Sequence, residues 1–176
     1  MLNTNVKVKY RHSFTLTETF STISYMHIIR RYQPIDLNPL TELFDAYREF
    51  YKMPSDKATA KLFLSERMEN KESIIFVAID DHFKLKGFVQ LYPIFSSTRM
   101  QRLWLLNDLY VNAFDRGKGI STALIEAAQK MCVETDACGV ILETAKTNCI
   151  GNALYAKMGF QMDSNHNYYE WNYTKE

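Results

Sequence analysis

The chain has 176 residues, of which 47% are hydrophobic and 14% aromatic, which is enough for one domain with a sizeable core and argues against disorder. The 21 Lys and Arg residues nearly balance the 20 Asp and Glu residues, so the net charge favours neither nucleic acid nor an anionic membrane as the principal partner. No apolar run approaches the roughly 20 residues of a membrane span, and the cysteines lack the paired short spacings of a zinc site. We therefore expect a cytoplasmic protein with reduced thiols and no metal.

Residues 1–25 form an N-terminal extension in our interpretation, because a complete domain can be traced over residues 26–176. Apolar residues fall on even positions of this extension, and a period of two predicts an added strand or hairpin. These residues are Val6, Val8, Tyr10, Phe14, Leu16 and Phe20. The extension is either an accessory arm or an upstream segment that is dispensable for folding.

Strands and helices alternate along the rest of the chain. Runs of β-rich residues predict strands, and apolar residues spaced by three and four predict helices. The predicted elements are, in order, a strand at 26–32, a helix at 40–51, a helix from Ser55 or Asp56 to Asn70, strands at 74–79, 87–92 and 102–111, a helix from Ile120, a strand at 140–144, a helix from Asn148, and strands at 160–162 and 168–173. Pro93 either ends the strand before it or places that strand at an edge. Together these elements predict an α/β fold, a mixed sheet flanked by helices, with no second domain.

The segment from Leu109 to Ser121 reads as the end of a strand, a short turn and the glycine-rich start of a helix. The first N–H groups of a helix lack intrahelical acceptors, and the helix dipole places about half a positive charge there, so the site suits an anion such as phosphate. Gly117 and Gly119 would let the backbone approach that anion closely. The spacing excludes a P-loop, because Asn112 stands where its first glycine is required. Ordinary turn geometry explains the two glycines equally well at this point.

The order of the elements resembles that of the GCN5-related N-acetyltransferase (GNAT) family over about residues 26–173. That family's signature is Arg or Gln, two residues, Gly, one residue, then Gly or Ala, and it is matched from Arg116 onward, with Ser121 in place of the last Gly or Ala. The resemblance implies a mixed, mostly antiparallel sheet flanked by helices, the acyl-CoA N-acyltransferase fold, and a turn that holds the pyrophosphate of acetyl-CoA. The residues that would bind this group are Arg116, Gly117, Lys118, Gly119, Ile120 and Ser121.

A second motif runs from Asn148 to Phe160 and is similar to the family's Asn, six residues, Tyr, three residues, Gly-Phe segment, with Gly151 where Ala is commoner. The resemblance implies that Asn148 hydrogen-bonds the pantetheine arm or its surroundings, and that the Tyr155 phenol faces the thioester sulfur. A tyrosine with a pKa of about 10 is protonated at neutral pH, so Tyr155 is a candidate general acid for the thiolate that leaves. The alternative is that Tyr155 is an ordinary aromatic core residue.

The resemblance also implies a role for the backbone of the strand that precedes the glycine-rich turn. In the family this strand and its neighbour splay apart, and pantetheine fills the gap between them. Backbone groups of Leu109, Tyr110 and Val111 would then pair with the pantetheine amides, as in strand addition. The side chains of these three residues need only pack.

The general base is sought among polar residues near this strand, because an amine acceptor with a pKa of about 10 must lose a proton before it attacks. Asp108 interrupts an apolar strand, and burying a carboxylate without a partner is costly, which favours a catalytic base. A carboxylate that caps nearby backbone N–H groups is an equally good explanation. Glu143 in the next predicted strand and His166 between the last two are further candidates, although an ordinary loop histidine explains His166 better.

The leading hypothesis is an acetyl-CoA-dependent N-acetyltransferase that transfers an acetyl group directly to a primary amine of a small molecule or a protein. A covalent enzyme intermediate is not needed, since nothing in the sequence pairs Cys149 with an activating His. The alternatives are a catalytically inactive acyl-CoA-binding regulatory or interaction module and a plain nucleotide-binding domain. A homodimer is common in the family, and the identity of the acceptor stays open.

Overall fold

Six strands form one sheet in the first of two compact units into which the chain divides, Met1–Glu143 and Thr144–Glu176. The structure is a computed structural model, and it describes residues 6–7 and 27–173. Its strands are β1 (Val6–Lys7), β2 (Ile28–Arg31), β3 (Ile74–Ile79), β4 (Leu85–Ser96), β5 (Gln101–Val111) and β6 (Val140–Ile141). Its α-helices are α1 (Leu37–Phe50), α2 (Lys57–Glu69), α3 (Ile120–Glu134) and, in the second unit, α4 (Cys149–Lys157).

The strands follow one another across the sheet in chain order. Each strand pairs antiparallel with the next, except that β6 is parallel to β5. A parallel pair needs a long crossover connection, and α3 supplies it between β5 and β6. The predicted α/β class and the mixed, mostly antiparallel sheet are confirmed.

Helices cover both faces of this sheet. The buried side chains of α1 and α2 form one cluster with alternate residues of β3 and with one residue of β4. The cluster consists of Leu40, Leu43, Phe44, Ala60, Leu64, Ile75, Val77, Ile79 and Phe88. Helix α3 packs on β2 to β5 through other buried residues, among them Leu124, Ile125 and Ala128. Successive side chains of a strand point to opposite faces of the sheet. Helix α3 therefore covers the face opposite the one that α1 and α2 cover.

Pro93 lies inside β4, although one prediction placed the end of the strand there. β4 pairs with β5 as far as Ser96, whereas its pairing with β3 stops at Leu91. Pro93 therefore lies where β4 has a neighbour on one side only, and such an edge is where a sheet tolerates proline. The prediction of an edge position is confirmed, and the prediction of a strand end is wrong.

The strands predicted at 160–162 and 168–173 are absent from the part of the second unit that the structure describes. Between these two runs, Asp163 turns the chain by accepting a hydrogen bond from the Asn165 N–H at 2.8 Å. The large aromatic residues of the second run are exposed; they are Tyr168, Tyr169, Trp171 and Tyr173. Two strands that bury neither face are at best marginally stable, which is why apolar alternation alone mispredicted them.

Residues 1–25 are described only where β1 forms. Val6 and Lys7 pair antiparallel with Ile29 and Ile28 of β2, which agrees with an added strand. The rest of the predicted hairpin lies outside the described residues, and the role of the extension stays a prediction. None of the helices described is both long and apolar enough to cross a membrane.

Candidate active site

The glycine-rich turn connects the end of β5 to the start of α3. Directly after β5, the Asn112 side chain accepts a hydrogen bond from the Phe114 N–H at 3.1 Å and begins a 3-10 turn over Ala113–Asp115. The N–H of Asn112 itself donates to the carbonyl oxygen of Lys86 in β4 at 2.8 Å. The beginning of the turn is thereby fixed to the sheet.

Gly117 and Gly119 both adopt a left-handed backbone, with φ of +74° and +80°, a conformation in which most other residues are strained. A Cβ atom added at either position would meet no other heavy atom within 4 Å. The backbone conformation, rather than crowding within the protein, therefore explains why glycine is needed. The space over both glycines is open, which suits an anion that approaches the backbone.

The first turn of α3 carries amide donors that no side chain caps. Its first intrahelical hydrogen bond runs from the Ala123 N–H to the Gly119 carbonyl oxygen at 3.0 Å, so the N–H groups of Ile120, Ser121 and Thr122 precede the ladder. Gly119 has no side chain that could accept from them, and the first turn holds no acidic residue. These donors and the helix dipole fit a phosphate group.

Arg116 and Lys118 direct their side chains back onto the protein. The Arg116 guanidinium lies over the rings of Phe50 and Tyr110, at 5.5 and 5.6 Å from their centroids. The Lys118 ammonium donates to the Asp115 carboxylate at 2.9 Å. In this conformation, the part of the turn that is open to a phosphate is its backbone.

Strand β5 has an open backbone edge beyond its short pairing with β6. Over the residues described, β6 pairs with β5 at Trp104 and Leu105, while β5 continues to Val111. The carbonyl oxygen of Val111 accepts a hydrogen bond from Nε of Arg116 at 3.1 Å. Leu109, Tyr110 and Val111 have β4 as their neighbour on the other side. The edge could therefore receive an extended ligand, and pairing of these three residues with pantetheine stays a prediction.

Asp108 is buried in β5, with 5% of its surface exposed. The register between β4 and β5 shifts beside it and leaves Asn107 as an extra residue, a β-bulge. The Asn107 amide donates to the Asp108 carboxylate at 3.2 Å, and the Tyr47 hydroxyl of α1 forms a second hydrogen bond with it. Burial raises the pKa of Asp108 above its ordinary value, and these two hydrogen bonds oppose the rise. The hydrogen-bond partners that the described residues supply to this carboxylate are thus two side chains.

Gln90 lies directly opposite Asp108 on β4 and is fully buried. Its Nε2 donates to the Ser73 hydroxyl at 2.7 Å, while its Oε1 has no hydrogen-bond partner in the described part of the protein. Tyr92 follows on the same face of β4. Burial first, and then the charge of Asp108, raise the pKa of the Tyr92 phenol. These residues and Tyr47 form a polar cluster around Asp108.

Sequence reasoning missed Tyr47, Gln90 and Tyr92. Tyr47 falls on the apolar stripe of a predicted helix, which indicates core packing and nothing more. Gln90 carried a usable signal, because an amide inside an apolar strand must be buried and needs a partner. Its partner, however, depends on the register of two strands, which the sequence does not show.

Glu143 does not lie in a strand. The strand predicted at 140–144 ends at Ile141, because mostly polar residues follow and turn the chain. Glu143 is exposed, so it lacks the buried position that made it a candidate base. In the second unit, His166 is exposed as well, and its Nδ1 lies 2.6 Å from Oδ2 of Asp163, as expected for an ordinary loop histidine.

Asn148 closes the start of α4. Its Oδ1 accepts from the Gly151 N–H at 3.0 Å, and its Nδ2 donates to the Thr144 hydroxyl at 2.9 Å. Both ends of the amide are therefore used within the second unit, and this capping role explains why Asn begins the motif. A contact of Asn148 with pantetheine stays a prediction.

The other end of α4 is closed by a Schellman motif. The Gly159 N–H donates to the Ala156 carbonyl oxygen at 3.1 Å, and the Phe160 N–H donates to that of Tyr155 at 3.0 Å. Gly159 has a left-handed φ of +84°, as predicted for a helix end. The half-buried Tyr155 ring packs edge-on against Phe160, with centroids 5.9 Å apart. The Tyr, three residues, Gly-Phe spacing thus orients the Tyr155 ring.

Comparison with known proteins agrees with this fold. Residues 40–160 match the model of the "Acetyltransferase (GNAT) family". The chain is 38% identical over 136 residues to the "Uncharacterized N-acetyltransferase YhfO" of Bacillus subtilis (strain 168), which covers 77% of this chain and 91% of the relative. It is 34% identical over 111 residues to a "Probable acetyltransferase" of Haemophilus influenzae, which covers 63% of this chain and 76% of the relative.

A solved structure resembles the fold over most of the chain. It bears the description "Crystal structure of a probable acetyltransferase", has 36% sequence identity and a TM-score of 0.80, and covers 84% of this chain and 99% of its own. The match to the family model spans both motifs, the one at Arg116 and the one at Asn148. The chain belongs to the GNAT family and is an N-acetyltransferase.

Proposed function

We propose that the enzyme takes the acetyl group from acetyl-CoA and transfers it directly to a primary amine of a small molecule or a protein. The observation that carries this proposal is the start of α3, where Gly119 leaves the first amide donors uncapped beside open space. A helix start of this kind suits the pyrophosphate of a coenzyme A thioester. Members of the family act on amine acceptors.

Bound acetyl-CoA would supply an acyl group activated as a thioester. The N–H groups at the start of α3 would hold its pyrophosphate, and backbone groups of Leu109, Tyr110 and Val111 would pair with its pantetheine amides. Asn148 would either contact the pantetheine arm or act only as the cap of α4.

Asp108 would accept the proton of the attacking amine, directly or through water. An amine with a pKa of about 10 is mostly protonated at pH 7, and a base whose pKa is raised towards neutrality is better matched to this task. Burial is the main reason why the pKa of Asp108 is raised. The hydrogen bonds from Asn107 and Tyr47 would keep its carboxylate in place.

Tyr155 would donate its hydroxyl proton to the departing sulfur. Its position in the last turn of α4 and the packing of its ring against Phe160 limit the directions in which the hydroxyl can point. The transfer needs no covalent enzyme intermediate, because a deprotonated amine attacks a thioester directly.

A panel of primary amines with acetyl-CoA tests the proposal, with release of free CoA thiol as the measurement. We expect release with at least one amine, a kcat about 100-fold lower in Tyr155→Phe, and an unchanged kcat in Tyr169→Phe, whose side chain is exposed. Binding of CoA without release in the presence of any amine would overturn the proposal in favour of a binding module. A full kcat in Tyr155→Phe at every pH would exclude Tyr155 as the acid.

Asp108→Asn tests the base through the pH profile. A base acts when it is deprotonated, so kcat/KM should rise with pH through the pKa of Asp108, which burial places above the ordinary value of about 3.9. Asp108→Asn should lower kcat about 100-fold or more and remove this rise. Asp81→Asn, at an exposed position, should keep both. If kcat/KM rises with pH in the same way in Asp108→Asn, another group is the base.

A further inference from the structure

Four charged side chains link the turn between β3 and β4 to the glycine-rich turn; we call them the charged bridge. In spatial order they are Asp80, Lys86, Asp115 and Lys118. The Lys86 ammonium lies 3.1 Å from the Asp80 carboxylate and 3.8 Å from that of Asp115. Asp115 also accepts from the Lys118 ammonium at 2.9 Å.

The charged bridge is partly buried and electrically balanced. Its side chains are 13% to 25% exposed, so their charges are screened less than those of a surface pair. His27 faces the same four charges, and its pKa is lowered, first of all by burial. A neutral His27 leaves two cations and two anions in the cluster at pH 7.

Of the four residues of the charged bridge, Asp115 has the most direct effect on anion binding at the start of α3. It directly precedes Arg116 and ends the 3-10 turn that leads into Gly117. A carboxylate so near the uncapped start of α3 would repel a pyrophosphate if its charge were not cancelled. Lys118, at 2.9 Å, and Lys86, at 3.8 Å, offset this charge together. The carbonyl oxygen of Lys86 also accepts a hydrogen bond from the Asn112 N–H at 2.8 Å.

We infer that Lys86 is a positioning residue for the CoA donor, which acts through Asp115 by adding to the neutralisation of its carboxylate by Lys118 and by holding the 3-10 turn to the sheet. This inference rests on the proposed use of acetyl-CoA. It assigns to Lys86, at the start of β4, a part in donor binding that neither motif of the sequence includes.

The test compares CoA binding by the whole protein in Lys86→Met and in Lys84→Met, a lysine two residues away whose side chain is exposed. Lys86→Met should raise the Kd for CoA about tenfold at low salt, and less at about 0.5 M salt, where charges are screened. Its kcat at saturating acetyl-CoA should stay within about twofold of the unsubstituted value, because the residue acts on binding. Lys84→Met should change neither.

Asp115→Asn supplies the second half of the test. If Lys86 acts through the Asp115 charge, adding Lys86→Met to Asp115→Asn should change the Kd by less than about threefold. This comparison remains valid if the single variant Lys86→Met does not fold. Equal Kd values for Lys86→Met and Lys84→Met would overturn this inference but not the proposed function. A tenfold rise in the Kd for CoA when Lys86→Met is added to Asp115→Asn would do the same. Absence of CoA binding by the unsubstituted protein would overturn the proposed function and this inference with it.

Discussion

Helices α3 and α4 begin in opposite ways. At the start of α3, the N-cap is Gly119, which offers no side chain, and the first amides stay open. At the start of α4, Asn148 accepts from the Gly151 N–H and donates to the Thr144 hydroxyl. The second helix therefore satisfies its own terminus, and the first one leaves its terminus for a ligand or for water.

The difference separates two ways of serving a reaction. An open helix start binds through its backbone, so the side chains of Arg116 and Lys118 are available to pack against the protein. A helix that is closed at both ends is suited to hold one side chain in place, here that of Tyr155. The two family motifs thus correspond to a helix start that is open and to a helix that is closed at both ends.

Gly119→Asn blocks the open start of α3 and should have the largest effect on binding. Asn is among the residues that best tolerate a left-handed backbone, and its Cβ would meet no protein atom. The new side chain would instead fill the space in front of the free amides. We expect the Kd for CoA to rise about 100-fold, equivalent to about 2.7 kcal/mol, as measured by calorimetry.

Gly159→Asn is the matched control for this substitution. Gly159 has nearly the same φ, +84°, and similarly open surroundings, so it should lose a similar free energy of unfolding, about 1 kcal/mol. Its Kd for CoA should stay within about threefold of the unsubstituted protein. Equal losses of binding in both variants would mean that backbone strain, not occupied space, weakens CoA binding.

Asn148→Ala opens the closed terminus and should have an intermediate effect. Loss of the cap should lower the free energy of unfolding by about 1 kcal/mol, measured by chemical denaturation. Asn148→Asp keeps an acceptor for the Gly151 N–H and should retain most of that stability. If Asn148 also contacts pantetheine, Asn148→Ala would raise the KM for acetyl-CoA as well. Unchanged stability in Asn148→Ala would contradict the capping role.

Much of the fold could be predicted because its patterns are local. The strand predicted at 74–79 is found as Ile74–Ile79, and Asp56 caps α2 by accepting from the Thr59 N–H at 3.0 Å. The strands predicted at 160–162 and 168–173 were wrong. Apolar alternation describes a single strand, whereas a stable strand also needs a neighbour to pair with, which the alternation does not show.

The candidate site likewise has one part that could be predicted from the sequence and one part that could not. The open start of α3 follows from a contiguous motif, since glycine and helix periodicity determine the backbone there. The surroundings of Asp108 do not follow from any segment. They depend on the bulge that places Gln90 opposite Asp108 and on the face of α1 that brings Tyr47 to the carboxylate, and both are consequences of packing.

Gly151→Ala should have the smallest effect and tests how the closed terminus is built. A Cβ atom at Gly151 would overlap with Nδ2 of Asn148, so the capping side chain would have to move. Ala, on the other hand, favours a helix over Gly by up to about 1 kcal/mol. The two effects should leave the free energy of unfolding within about 0.5 kcal/mol of its original value.

In the Asn148→Ala background no cap remains to be displaced, so Gly151→Ala should stabilise the protein by about 0.5 to 1 kcal/mol. Denaturation of the four proteins completes this double-mutant cycle. Equal effects in both backgrounds would show that Gly151 and Asn148 are energetically independent. A larger gain without the cap would mean that this chain has Gly151 because the Asn148 side chain occupies the place of a Cβ atom.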